Sequence, residues 1–134
     1  MAKLVGIGSE QVDSVWPEVM PMVERCLKKV HNVRWEPEDI LDALKDRDMQ
    51  LWATVDADGL QAILITRLVR YPRVLECELF IWSGRMTNDW RQHLEIVEQW
   101  AREQGCHFMS TLSRRGSAKY VGYTQGLVHT YRSL

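Results

Sequence analysis

Apolar residues recur at Val12, Val15/Trp16, Val19, Met22/Val23, Cys26/Leu27 and Val30, a spacing of three and four that lines one face of a helix. Pro17 and Pro21 fall inside this run. Proline starts a helix well and interrupts one badly, so the pattern predicts a short first helix followed by a longer one beginning near Pro17. Before it, Lys3 to Ile7 reads as an edge strand that ends in Gly6-Ile7-Gly8, a plain turn too short for a dinucleotide fingerprint, and leads to a helix start at Ser9-Glu10. A second helix is announced by Glu36-Pro37-Glu38-Asp39, where proline in the first turn and acids at the positive end of the helix dipole both favour initiation. Ile40, Leu41 and Leu44 supply its buried face.

Three strands are predicted next: Met49 to Val55, Leu60 to Val69 and Val74 to Trp82. Asp56-Ala57-Asp58-Gly59 is a hairpin signal, and Tyr71-Pro72-Arg73 breaks the second pair. From Asp89 to Gln104, Trp90, Leu94, Val97 and Ala101 share a helical face, with Gly105 placed to end the helix. Cys106 to Leu112 then reads as a strand, Ser117 to Val121 as a short helix and Leu127 to Leu134 as a final strand. The order β, α, α, β, β, β, α, β, α, β describes an α/β (α+β) domain in which an antiparallel meander is followed by a βαβ unit.

Composition narrows the class. The 134 residues form one domain, 1–134, with 46% hydrophobic and 26% charged positions and a formal net charge of -1, so there is no general attraction to nucleic acid or membrane. No segment approaches a membrane span or a signal peptide, which places the protein in the cytoplasm, or packaged from there. Cys26, Cys77 and Cys106 are isolated from one another and lack a histidine at metal-ligand spacing, so they read as buried thiols and no metal site is expected.

The candidate chemistry is sparse. Glu76 and Glu78 share one strand face by alternation, which is either solvated or lines a cleft; Glu78 lies nearer the strand's C-terminal end. His93 sits close to the buried face of its helix and reads as a packed histidine. Arg114 and Arg115, with Lys119 a turn later, form the chain's best basic patch, the one place where nucleic acid, a phosphate or an acidic protein could be met. Of six tryptophans, Trp35 and Trp82 stand beside loops, where they either pack the core or anchor a partner.

The element order, together with Leu75-Glu76-Cys77-Glu78-Leu79-Phe80-Ile81-Trp82, a loop, the helix Asp89 to Gln104 and Gly105-Cys106, resembles the acyl-CoA N-acyltransferase (GNAT) fold over nearly the whole chain. The resemblance implies a mixed sheet with helices on both faces, and a strand, loop and helix N-terminus that hold the pyrophosphate of acetyl-CoA. The cofactor residues it implies are Trp82, Ser83, Gly84, Arg85, Met86 and Thr87. The family's usual loop is Arg/Gln-x-x-Gly-x-Gly/Ala; here Ser83-Gly84-Arg85-Met86-Thr87-Asn88-Asp89 keeps Gly84 for close backbone approach and Arg85 for phosphate, and lacks the second small residue. Asn88 or Asp89 would cap the helix instead. The resemblance further implies Glu78 as base and, because Ala118 stands where the family often has its acidic tyrosine, Tyr120 or Tyr123 as acid. An acyltransferase would need an opening between the parallel strands near Phe80 and Met109, not filled by Trp82 or Trp90, and free N–H groups from Met86 to Asp89.

The Trp-Ala-Thr strand, Tyr71-Pro72-Arg73, Trp100-Ala101-Arg102 and Arg114-Arg115-Gly116 also resemble divergent GNAT-like proteins of tailed bacteriophages and prophages. With the altered loop, this implies a non-catalytic protein acting by contact with a virion or host component; acetyl-CoA-dependent acetylation of an unknown amine is the alternative.

Overall fold

The computed structural model describes residues 2–29, 34–85, 88–111, 121–124, 126, 130 and 132–134. In chain order the elements are strand β1 (Lys3–Ile7), a 3-10 turn at Ser9–Gln11, helices α1 (Val12–Lys29) and α2 (Pro37–Lys45), strands β2 (Met49–Asp56), β3 (Gly59–Arg70) and β4 (Leu75–Gly84), helix α3 (Trp90–Glu103) and strand β5 (Phe108–Thr111). Among the described residues they build one mixed sheet in the order β1-β2-β3-β4-β5. The first four strands pair antiparallel, and β5 runs parallel to β4 after the α3 crossover. The meander followed by a βαβ unit is therefore present.

Helix α1 differs from expectation: it is a single helix running through both prolines. Pro17 and Pro21 are four residues apart and both exposed, whereas Val12, Val19, Val23 and Leu27 are buried. The bonds that proline cannot make are thus lost on the wet side, where water can hydrate the freed carbonyls of Asp13 and Pro17. Helix α2 starts as its sequence dictates: Pro37 is in the first turn, and the Asp39 carboxylate accepts the Glu36 N–H at 2.9 Å. Helix α3 ends at Gly105, whose φ of 88° lets its N–H reach the Arg102 carbonyl and that of Cys106 reach the Ala101 carbonyl, both at 3.0 Å. The β2–β3 hairpin turns at Ala57-Asp58, with the Asp58 N–H donating to Asp56 Oδ1 at 2.8 Å.

Helices cover both faces. α1 and α2 pack with Met49, Leu51, Ile63, Ile65 and Ile81 on one side; α3 packs through Leu94 and Val97 with Trp52, Leu64 and Leu79 on the other. Each buried Val, Leu or Ile contributes about 1.5–3 kcal/mol. The buried polar groups on the α3 side are chained, with Trp52 Nε1–H donating to Thr66 Oγ1 at 3.1 Å and that hydroxyl donating to Gln50 Oε1 at 2.9 Å. All six tryptophans lie in or against these two cores.

The final strand expected at Leu127 to Leu134 is not found in the described part of that range: Arg132, Ser133 and Leu134 are exposed and outside any strand. Of the expected short helix, only Val121 lies among the described residues. No helix of the described residues is long and apolar enough to cross a membrane.

Candidate functional site

Strand β4 carries the candidate residues, and its register explains where they point. Arg67 pairs with Glu78 and Thr66 with Leu79, but Ile65 pairs with Ile81, so Phe80 is an extra residue in β4. Such a bulge re-aims the side chains beyond it. Leu79 and Trp82 face α3, whereas Phe80 and Ile81, consecutive in sequence, both pack against the α1–α2 core. The described pairing with β5 ends at Leu79–Thr111, one residue before the bulge.

Glu76 and Glu78 share a face, as alternation requires, but that face is not solvated at Glu78. The Glu78 side chain is only 8% exposed and forms an ion pair from Oε2 to Nε of Arg67, whose side chain is 31% exposed. The Arg67 guanidinium lies over the Phe80 ring, 4.8 Å from its centroid, and 5.8 Å from that of Trp35. Trp35 and Phe80 meet edge to face at 5.2 Å. The result is a carboxylate, a cation and two aromatic rings grouped on the α1–α2 side of β4. Sequence reasoning singles out Glu78 and misses Arg67. Counting back from the Arg70–Leu75 pair that closes the hairpin is the signal that places Arg67 opposite Glu78.

The loop after β4 is anchored to the sheet. Gly84 has φ 109°, and a Cβ there would lie 2.5 Å from the Gln61 carbonyl oxygen and 2.6 Å from Ala62 Cα. The close backbone approach that Gly84 allows is thus to β3, where Gln61 is itself an extra residue relative to β2. The Arg85 N–H donates to that same Gln61 carbonyl at 2.8 Å, so it is committed within the protein. Ser83, paired with Ile63, is half-buried, and the Arg85 side chain is exposed at the mouth of a cavity. Met86 and Thr87 lie outside the described residues. Asp89 occupies the N-cap position of α3 but makes no capping hydrogen bond through its side chain, which leaves its carboxylate at the positive end of that helix.

The cavity beside Arg85, about 30 Å³, is walled by Leu4, Trp52, Leu64, Trp82, Trp90 and His93 on the α3 side. That volume suits a water molecule rather than a cofactor. Trp82 and Trp90 meet edge to face at 5.9 Å and pack on the α3 core, on the opposite side of β4 from Phe80. His93 is half-buried as a packed histidine would be, and its Nδ1 has no partner among the described residues.

The tyrosine and glutamate of the expected acid–base pair are not brought together. Tyr123 packs with the α3-side core and donates its hydroxyl to Glu98 Oε2 at 2.9 Å, whereas Glu78 belongs to the other face. Burial and the neighbouring Glu98 carboxylate both hold the Tyr123 proton on. Tyr120, Arg114 and Arg115 lie outside the described residues. The cysteines are poor nucleophiles: burial pushes all three thiols up, Cys77 to about 12, helped by its neighbour Cys106.

No protein-family description matches the chain, and no curated protein does so by sequence. Solved structures do match. An aminoglycoside acetyltransferase from an uncultured soil metagenomic sample, in complex with sisomicin, superposes with a TM-score of 0.72 at 9% identity over 99% of this chain and 96% of that one. A predicted acetyltransferase from Clostridium acetobutylicum, with acetyl-CoA, gives 0.72 at 9% identity over 99% and 96%. A GNAT family acetyltransferase from Staphylococcus aureus gives 0.69 at 8% identity over 99% and 98%. At such identities the likeness speaks for architecture and not for chemistry. The chain has the fold of the GNAT acetyltransferases.

Proposed function

We propose that this chain binds an acyl-CoA, with acetyl-CoA the first candidate, and transfers the acyl group to an amine. The observation that carries the reading is the bulge at Phe80, set in β4 where its described pairing with β5 stops and just ahead of the turn into α3. In this reading the main chain of Ile81 to Ser83 pairs with the amides of the pantetheine arm, and the Arg85 guanidinium meets the pyrophosphate. The acetyl-CoA seen with the structurally similar Clostridium protein supports the choice of cofactor. The acceptor approaches from the α1–α2 side, where the oxygen of Glu78 not engaged by Arg67 accepts a hydrogen bond from its amino group. The amine nitrogen forms the C–N bond, and the C–S bond breaks with its electron pair on sulfur. Of the two protons that an ammonium gives up, one goes to the thiolate and one to solvent.

A second reading is favoured by Asp89. A carboxylate at the α3 N-terminus opposes a pyrophosphate there, and with the Arg85 N–H already committed to Gln61 the loop suits a protein that acts by contact with a virion or host component. Isothermal titration with acetyl-CoA and with free CoA separates the two. Acyl transfer predicts micromolar binding that weakens about tenfold or more in Arg85→Ala, since hydrogen bonds to charged groups contribute about 1.5–3 kcal/mol. Absence of heat at millimolar ligand refutes it and sends the search to protein partners.

A further inference from the structure

We propose that Arg67 and Glu78 together recognise a zwitterion, so that the acceptor carries a carboxylate beside its amino group, as a free α-amino acid does. The inference rests on the acyl-transfer reading for the chemistry after binding, but the recognition stands on the geometry of the pair itself.

Arg67 is held unusually firmly for a half-exposed arginine. Its Nε is bonded to Glu78, and one face of its guanidinium lies on Phe80 with Trp35 close by. Among the described residues nothing bonds its two Nη groups, and nearly a third of the side chain remains exposed, 31% against 8% for Glu78. A guanidinium fixed through Nε presents its Nη edge as a fork, which matches the two oxygens of a carboxylate. The same ion pair leaves Glu78 Oε1 without a partner among the described residues, an acceptor for an ammonium.

Charge balance then selects the ligand. The pair is neutral as a unit, with one positive and one negative group side by side on adjacent strands. A plain amine brought to Glu78 meets Arg67 as a like charge, and a plain carboxylate brought to Arg67 meets Glu78. A molecule bearing both charges at short separation satisfies both groups and leaves neither opposed. Polyamines and amino sugars, which carry positive charge alone, are disfavoured by the same reasoning. Phe80 and Trp35 supply an apolar wall for the acceptor's carbon atoms.

The test uses the full chain and matched probes. Glycine, L-alanine, L-glutamate and L-phenylalanine are titrated first, and L-phenylalanine is then set against 2-phenylethylamine, which lacks the carboxylate, and 3-phenylpropionate, which lacks the amine. The zwitterion should bind about tenfold or more tightly than either partial analogue. Arg67→Lys, which keeps the charge and loses the fork, should cost most of that preference, and a melting curve of the variant checks that it is folded. Equal binding of 2-phenylethylamine, an unchanged preference in folded Arg67→Lys, or no amino acid binding below about 10 mM overturns the proposal. Acetyl-CoA titration reports independently: zwitterion binding without acetyl-CoA binding refutes acyl transfer alone, and acetyl-CoA binding without zwitterion selectivity refutes this inference alone.

Discussion

Replacing Arg67 by Met removes the partner of a carboxylate that is 8% exposed. Breaking a buried pair from one side costs about 3–5 kcal/mol, because the charge left behind has neither water nor a counter-ion. Water reaches this pair from the arginine side, where 31% of the side chain is open, so the lower figure applies, about 3 kcal/mol. At about 2.1 cal/mol/K per residue, 134 residues give about 0.28 kcal/mol per degree, and the Tm should fall by about 11 °C. Replacing both partners, Arg67→Met with Glu78→Leu, removes the buried charge with its counter-ion and should return the protein to within about 1 kcal/mol of the parent. Lys45→Met is the control: its bridge to Asp13 at 3.2 Å joins side chains 45% and 67% exposed and should contribute less than about 1 kcal/mol. Urea unfolding of these variants, of Glu78→Leu alone and of the parent at neutral pH measures all of this. A loss under about 1 kcal/mol in Arg67→Met, or a double variant as unstable as the two single ones added together, would refute the view that this pair is buried and coupled.

Gly84→Ala should cost about 2 kcal/mol or more, because it combines a φ of 109° with a Cβ 2.5 Å from the Gln61 oxygen. Gly59→Ala, at φ 103° with nothing within 4 Å, should lose only the conformational part, about 1 kcal/mol, and equal losses in urea unfolding would remove the contact argument. Pro21→Ala should stabilise the protein by about 1–2 kcal/mol, the restored helical bond being partly offset by a freer unfolded chain; a loss of stability would mean that the proline packs rather than merely faces water. The Cys77 thiol keeps its proton to about pH 12 when folded and releases it near 9 when unfolded, so the folded state holds the extra proton between those values. Stability should therefore fall as pH rises from about 9 towards 12, more steeply in the parent than in Cys77→Ala, and identical slopes in thermal melts would contradict that assignment.

The elements are legible where a local rule and the tertiary requirement coincide. Helix α3 shows its buried face in Trp90, Leu94, Val97 and Ala101 and its stop in Gly105, and the hairpin turn shows itself in Asp58-Gly59, because packing and turn geometry act on the same few consecutive residues. Pro17 and Pro21 mislead in α1 because the rule against proline concerns a missing bond, and its cost depends on whether the freed carbonyl meets water, which only the packed structure decides. Gly84 does make room, but for Gln61 rather than for a phosphate, since the contact depends on where β3 carries its extra residue.

The site is harder to see for a related reason. In Thr66-Arg67-Leu68-Val69-Arg70 an arginine at an inward position looks like any polar residue of a long strand, and its value emerges only through pairing with a residue eleven positions away. That pairing is computable from the hairpin end, but the bulge at Phe80 is not, and the bulge is what turns an aromatic ring under the guanidinium when strict alternation would give Ile81 and Phe80 opposite faces. A bulge has no compositional mark as strong as a turn's: Phe80 lies within an unbroken run of strand-forming residues. The chemistry of this chain therefore sits where one extra residue shifts the phase of a strand, and swapping Phe80 for another side chain should alter the grip on Arg67 more than the course of the sheet.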